Sequence, residues 1–344
     1  MKKYHPIKEL LLGRMRTFYR EPEAIFWTYG FPLILTILLG IAFRNRPQEV
    51  IDVDIADGPA AAGIKSHLDD AGGFVAHVRP TAECTERLRL GKSAIVVERG
   101  DKLEYAFDPT RPDSALARAR LDDVLQRALG RADAVATADR EITEPGARYI
   151  DFLVPGLLGM NLMGGGLWGI GFVVTDMRVR NLLRRLVATP MRKPHFLLAL
   201  IGGRLVFTIP ELLFILGAGV FLFDVRVSGG WLAIVVIAFV GSVSFAGLGL
   251  LIASRAKRIE TISGLMNLVM LPMWLFSGIF FSSEKFPDAF QPFIQALPLT
   301  QLNDALRSII LEGGTLADQA MRLLILMAWG GLSFLLALKW FRWT

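Results

Sequence analysis

Six long apolar stretches constrain the fold of this chain more than any other feature of its sequence. A helix needs about 20 mostly apolar residues to cross the roughly 30 Å hydrocarbon core of a bilayer. Of the 344 residues, 53% are hydrophobic, which is too many for an ordinary soluble domain. The sequence therefore predicts an α-helical polytopic membrane protein with six transmembrane helices, at about 24–43, 149–174, 197–223, 231–253, 263–281 and 320–340.

The distribution of charge predicts the topology. Basic residues are concentrated before the first stretch, at 178–193 and at 255–258, whereas the loop at 282–318 is acidic. Short loops rich in Lys and Arg stay on the cytoplasmic side. Both termini are therefore expected in the cytoplasm. The net charge of +6 is therefore explained by topology, with attraction to anionic lipids as a second effect. Nucleic acid is not needed as a partner to explain it.

Residues 44–148 differ in pattern from the rest of the chain. Short apolar runs at 50–56, 93–98 and 103–107 favour strands, and three segments, 60–70, 81–90 and 112–130, favour helices. We expect a small α/β extracytoplasmic domain here. It carries 16 basic and 19 acidic residues, and this near balance implies no strongly charged ligand.

Two amphipathic segments flank the first spans. Residues 1–23 contain a helix with an apolar face that includes Leu10, Leu11 and Phe18, and it is expected to lie in the interface plane as a cytoplasmic connecting helix. A second helix, at about 176–190, carries Val179, Leu182, Leu183, Leu186 and Val187 on one stripe and Arg178, Arg180, Arg184 and Arg185 around it. Prolines end it, and a charged helix of this kind is usually presented to a partner.

Ionisable and polar residues within the spans are the candidates for a translocation pathway. Arg204 and Glu211 are seven residues apart, about two helical turns, so both lie on one side of the third span. Arg204 is close enough to the cytoplasmic interface to extend toward it. Glu211 is deeper, and we expect it to face a central cavity or to pair with Asn161 or Asn267. Met270 belongs to a methionine row in span five, which indicates either ordinary packing or a permissive apolar pathway.

Two further features have structural explanations. Spans two and four are rich in glycine, which predicts close helix packing within the bundle or a sliding surface between protomers. Prolines cut residues 282–314 into pieces too short to cross a bilayer, so short re-entrant outer helices are expected.

No pattern for catalysis or nucleotide binding is present. Gly91-Lys92-Ser93 resembles the end of a phosphate-binding loop, but Glu86 stands where the motif requires glycine. The four histidines have no metal-ligand spacing, and no nucleophile and base form an obvious set. We therefore expect neither an enzyme, nor a metal site, nor a cofactor bound by this chain.

Three stretches together resemble the ATP-binding-cassette type-2 (ABC-2) exporter permeases. They are IKELLLGRMRTFYREPEAIFWTYGFPLILTILLGIAF, TDMRVRNLLRRLVATP, and LPMWLFSGIFFSSEKFPDAFQPFIQALPLTQLNDALRSIILEGG. They are similar to that family's connecting helix and first span, its coupling helix, and its fifth span with the outer helices. The chain most resembles the subgroup with an outer domain after span one, which includes drug and antibiotic-resistance exporters.

The resemblance implies a permease subunit in a bacterial inner membrane, paired with a second permease copy or a sister chain. It also implies separate ATPase subunits that hold ATP and Mg²⁺. The ATPase contact would comprise Arg178, Arg184, Arg185, Leu186, Thr189 and Pro190. The cargo would be hydrophobic or amphipathic. A lipid-linked envelope polymer is the alternative cargo, a membrane-anchored sensor is a less favoured function, and a membrane enzyme would need a catalytic set that is not evident.

Overall fold

The computed structural model describes residues 6–44, 50–99, 102–132, 148–188 and 193–341. The chain divides into two compact units, one formed by residues 1–44 and 143–344 and the other by residues 45–142. The first is a helical bundle with six helices long and apolar enough to cross a membrane, and the second contains a small sheet. The expected fold class is therefore confirmed.

The chain begins with helices. Helix α1 (Pro6–Arg20) ends before Pro22, which starts α2 (Pro22–Ile25). A π-helical turn at Phe26–Gly30 leads into α3 (Phe31–Arg44), and residues 22–42 form span one. The apolar side of α1 packs against span three.

The second unit is a four-stranded sheet with three helices. In chain order its elements are β1 (Ile51–Ala56), α4 (Ala61–Ala71), β2 (Phe74–Arg79), α5 (Thr81–Arg89), β3 (Ile95–Arg99), β4 (Leu103–Ala106) and α6 (Pro112–Ala128). The strand order is β2-β1-β3-β4. Strand β1 is parallel to β2 and β3, and β4 is antiparallel to β3.

Strand alternation explains how this sheet is covered. Ile51, Val53 and Ile55 project from one face of β1 into a core with α4 and α6. Asp54 projects from the other face and is fully buried. The Nε of Arg87, on α5, donates to its carboxylate at 2.8 Å. The buried charge therefore has the cationic partner that burial requires.

The remaining helices form the bundle. Helix α7 (Tyr149–Leu167), a π-helical turn at Trp168–Phe172 and α8 (Val173–Val179) make span two, and α9 (Leu182–Val187) follows it. Spans three to six lie in α10 (Lys193–Phe223), α11 (Trp231–Ala253), α12 (Ile259–Phe276) and α15 (Ala320–Trp340). Between spans five and six lie two 3₁₀ turns, Ser283–Lys285 and Asp288–Phe290, and helices α13 (Gln291–Ala296) and α14 (Pro298–Glu312).

Span four is the central helix of the bundle. It packs against spans two, three and six and against α14. Of its apolar window 67% is buried, compared with 22% for spans five and six and 17% for span one. A helix that is apolar on every side belongs in an interior position. The outer spans leave their apolar side chains for lipid or for another chain.

Helix α14 is short but deeply packed. Its 15 residues rise about 22 Å, which is less than a bilayer core. Leu299, Leu302 and Leu306 are buried, and the helix contacts spans two, four and six. Asn303 donates to the carbonyl of Ser277 at 2.8 Å. The Ser277 carbonyl, just after the end of span five, thus has a hydrogen-bond partner within the protein.

Glycines of spans two, four and six pack within the chain. A β-carbon at Gly247 of span four would lie 2.7 Å from the carbonyl oxygen of Gly330 in span six. A β-carbon at Gly249 would lie 2.8 Å from the carbonyl oxygen of Gly166 in span two. Small residues let helices approach this closely in lipid. The bundle-packing explanation accounts for these positions without a second protomer.

Two adjacent glycines of span six provide a matched test of this packing. A β-carbon at Gly330 would lie 2.8 Å from the Cα of Ser244, whereas one at Gly331 would have no neighbour within 4 Å. We expect Gly330→Val to destabilise the bundle by about 1–3 kcal/mol through overpacking. Gly331→Val makes the same change in helix propensity and should change stability far less. Thermal unfolding in one detergent measures both, and equal shifts would contradict the packing described.

Candidate functional site

The segment after span two is the candidate partner-binding element, and its helix is broken. Helix α8 ends at Val179, a turn follows at Arg180 and Asn181, and α9 starts at Leu182. Asn181 has φ 59°, a left-handed conformation that asparagine adopts more readily than most residues. The expected single helix at about 176–190 is therefore wrong, because this turn redirects the chain.

Helix α9 is a short amphipathic element. Leu183 is 1% exposed, and Leu186 is half-buried against the bundle core. Arg184 and Arg185 are exposed. Helix α9 therefore exposes two adjacent arginines, while Leu183 and Leu186 pack against the bundle. Thr189 and Pro190, which the sequence assigned to the same contact, lie outside the described residues.

Arg178 has a different environment from the other arginines. It is 9% exposed, and its guanidinium donates to three carbonyl oxygens where span four ends. The distances are 2.7 Å to Ala253, 2.5 Å to Ala256 and 3.1 Å to Ser254. The last carbonyls of a helix have no partner within it, and cations are favoured there. Arg178 thus caps span four, which corrects its expected place in a surface contact.

Arg204 and Glu211 of span three form a buried ion pair. Arg204 Nη1 and Nη2 donate to Glu211 Oε1 and Oε2 at 2.5 and 2.7 Å. The side chains are 3% and 0% exposed. Arg204 Nη2 also donates to the carbonyl of Leu162 in span two, at 3.2 Å. Such a parallel two-bond arrangement is the strongest form of an Arg–carboxylate contact.

The pair corrects two expectations about span three. Arg204 extends along its own helix to Glu211 and does not reach for the interface. Glu211 pairs with Arg204, and neither Asn161 nor Asn267 contacts it through a hydrogen bond. The seven-residue spacing did place both charges on one side of the helix, as expected.

The remaining pathway candidates are not brought together. Asn161 donates to the carbonyl of Thr28 in span one, at 3.4 Å. Met270 is 4% exposed and accepts a contact of 3.1 Å from Trp168 Nε1. Asn267 is exposed on span five. Met270 therefore belongs to the packed core, which agrees with ordinary packing, one of the two explanations that the sequence left open.

Arg14 of α1 makes a contact with span two that sequence reasoning missed. Its guanidinium donates to the carbonyl of Gly169 in the π-helical turn of span two. Burial, with the nearby charge of Arg204, lowers the pKa of Arg14 to about 10, so it stays charged at neutral pH. The feature of the sequence that could have indicated this contact is Gly203, because the absence of a side chain there makes room for Arg14.

Arg307 of α14 was also missed. Its guanidinium lies 3.7 Å from the ring centroid of Phe152 in span two, and it donates to the carbonyls of Phe152 and Gly278. These contacts fix α14 to span two and to the end of span five. Arg307 shares its helix with other polar residues, such as Asn303 and Asp304, so nothing in the sequence singled it out.

No cluster of metal-ligating side chains is found within the described ranges. They contain no group of three or more His, Cys, Asp or Glu side chains that could hold a metal ion. The candidate site consists of a cationic helix, α9, after span two. It also includes charged side chains that connect spans two, three and four.

Comparison with known proteins gives the family. The family model for the ABC-2 type transporter matches residues 120–311, more than half of the chain. ABC transporter G family member 20 of Dictyostelium discoideum is 28% identical over 171 residues, 49% of this chain and 23% of that protein. Nodulation protein J of Bradyrhizobium diazoefficiens is 38% identical over 88 residues, 26% of this chain and 32% of that protein.

The matches thus span about a quarter and a third of these two relatives. The family match includes spans two to five, helix α9 and α14, and so contains the buried ion pair of span three. The chain belongs to the ABC-2 type transporter family, as an integral membrane component.

Proposed function

We propose that this chain is the permease subunit of an ATP-driven exporter for hydrophobic or amphipathic molecules. Drug, antibiotic or lipid-like compounds would leave the cytoplasm or the inner leaflet, and separate ATPase subunits would drive the movement. Family membership supports the permease role. The observation that supports coupling between this chain and an ATPase is that Arg184 and Arg185 are exposed on α9, directly after span two.

The proposed ATPase contact has a clear physical basis. A short amphipathic helix fits a groove through its apolar residues, and flanking charges select the partner. Arg184, Arg185 and Leu186 supply these features, and Thr189 and Pro190 complete the proposed contact. ATP and Mg²⁺ would be held by the ATPase, and this chain would bind no cofactor.

A movement of α9 would be transmitted directly to the helical bundle. Helix α9 follows span two, and Arg178 at the end of span two holds the last carbonyls of span four. An ATPase pair that binds α9 differently in its ATP-bound and ATP-free states would shift the permease between two conformations. Spans two and four would move together in this mechanism.

The proposed assembly contains two permease subunits. Spans one, five and six leave most of their apolar windows unburied, and Asn267 is exposed on span five. A second copy or a sister chain would cover part of this surface, and the cargo would pass near it. The proposed location is a bacterial inner membrane, with both termini cytoplasmic and residues 44–148 outside, as in the exporter subgroup with an outer domain.

Charge reversal on α9 tests the coupling. Arg184→Glu with Arg185→Glu should reduce capture of the partner ATPase by more than about tenfold, because two cation–acid contacts become repulsive. Export of an amphipathic dye from cells that contain both subunits should fall with it. Lys65→Glu with Arg120→Glu applies the same charge change to exposed residues of the second unit and should change neither.

Topology is tested with the same site. Arg184→Cys, in a Cys84→Ser background, should react with a membrane-impermeant thiol reagent only in inverted vesicles. Labelling of intact cells would place α9 on the wrong side for a cytoplasmic ATPase and would overturn the proposal. Unchanged ATPase capture by the charge-reversed variant would do the same for the contact.

A further inference from the structure

A cleft of about 400 Å³ lies at one end of the sheet in the second unit. Its walls come from two regular elements. Arg99, Leu103 and Tyr105 share one face of the β3–β4 hairpin, because Arg99 pairs with Leu103 and side chains alternate along each strand. Arg118 and Asp122, four residues apart, lie on one face of α6. Lys102 completes the rim.

The helix side of the cleft is held in place by several contacts. Tyr105 donates its hydroxyl proton to Asp122 Oδ1 at 3.0 Å. The Arg118 guanidinium lies 4.4 Å from the Tyr105 ring centroid and 3.4 Å from Asp122 Oδ2. Burial and the hydrogen bond to Asp122 raise the pKa of Tyr105 to about 12, so it remains a donor throughout the physiological range. Arg118 is thereby pre-positioned between an aromatic face and a carboxylate.

The charges in the cleft are not balanced. Arg118 has Asp122 as its acidic partner. Arg99 and Lys102 are exposed, and neither has an ion pair with any residue in the described part of the chain. The unit as a whole contains slightly more acidic than basic residues, so this local excess of positive charge is a property of the cleft.

We infer that the cleft binds a phosphate group, carried either by a lipid headgroup or by a soluble phosphate compound. Arg99 and Lys102, which have no carboxylate partner among the described residues, match the charge of a phosphate monoester, about −1.5 to −2 at pH 7. Arginine and lysine donors form charge-assisted hydrogen bonds with phosphate oxygens, and Arg99 can do so through two parallel bonds. Leu103 gives the group an apolar wall. This site is independent of the export function proposed above.

Binding to the full-length protein in phosphatidylcholine nanodiscs tests the inference. The probes are inorganic phosphate and a short-chain, water-soluble phosphatidic acid, and calorimetry measures the Kd of each. Arg99→Gln with Lys102→Gln should raise the Kd by about tenfold or more, because it removes two charge-assisted contacts. Lys65→Gln with Arg120→Gln removes the same charge from exposed positions outside the cleft and should change the Kd less than about twofold.

The outcomes separate the two sources. Tight binding of inorganic phosphate assigns a soluble phosphate compound, whereas binding of the phosphatidic acid alone assigns a lipid headgroup. Both substituted positions are exposed, so the variants should elute like the unmodified protein. The inference is overturned if neither probe binds the unmodified protein, or if the control variant loses as much affinity as the cleft variant.

Discussion

Glu211→Leu alone is expected to destabilise the membrane unit by about 3–5 kcal/mol, the largest effect we anticipate from one substitution. The change leaves Arg204 buried at 3% exposure without its carboxylate, and an uncompensated buried charge is costly. Unfolding by denaturant in a fixed detergent measures the loss. Glu260→Leu removes an exposed acid at the start of span five and should cost no more than about 1 kcal/mol.

The double variant separates structure from function at this pair. Arg204→Met with Glu211→Leu removes both charges and fills a similar volume, so most of the lost stability should return. A folded double variant that still exports cargo would show that the pair only holds the bundle. A folded double variant without export would assign the pair to the transport cycle. If Glu211→Leu is as stable as the unmodified protein, the buried pair is not present as described.

The membrane architecture could be predicted from sequence because length and hydropathy decide it. Six apolar stretches of bilayer length admit few other folds, since unpaired backbone groups are not tolerated in lipid. The boundaries were harder to predict. Span five ends at Phe276, five residues before the expected end, because Ser277 and Gly278 leave the helix and Gly278 has φ +69°. The residues at 279–281 are apolar, so nothing in the sequence indicated that the helix had already ended.

The small sheet was predicted only in part. Strand β2, Phe74–Arg79, was not expected, although it pairs with β1 along its whole length. It lies at an edge of the sheet, and only Ala76 of its six residues is buried. An edge strand with one buried side chain has little of the alternation by which strands are recognised. The inner strands were predicted from clearer patterns, since β1 alternates as Ile-Asp-Val-Asp-Ile and β3 begins with the apolar run Ile95–Val97.

Side-chain partners were the least predictable feature. Helical spacing placed Arg204 and Glu211 on one side of span three but could not show that Arg204 extends two turns to reach the acid. Gly165 of span two makes room for that guanidinium, and such a contact between distant residues leaves no local pattern. Arg14 likewise contacts a backbone carbonyl in another helix, and an unbroken apolar stretch gives no sign of the π-helical turn there.

Arg178 and Arg180 show how two similar residues take opposite roles, and they provide the second large prediction. Both precede the turn at Asn181 and both are arginines, so the sequence assigned both to one basic face. Arg178 is buried against the end of span four, whereas Arg180 is exposed and pairs with Asp176 at 2.9 Å on the surface. Burial and not residue type therefore decides which of them the fold requires.

Arg178→Met should destabilise the bundle by about 2–4 kcal/mol, because three carbonyls at the end of span four lose a charged donor. Hydrogen exchange at residues 250–258 should become faster, since the cap no longer holds that end of the helix. Arg180→Met loses only an exposed ion pair and should cost less than about 1 kcal/mol. Equal losses in the two variants would mean that Arg178 does not cap span four. The coupling that we propose for α9 would then need another connection to span four.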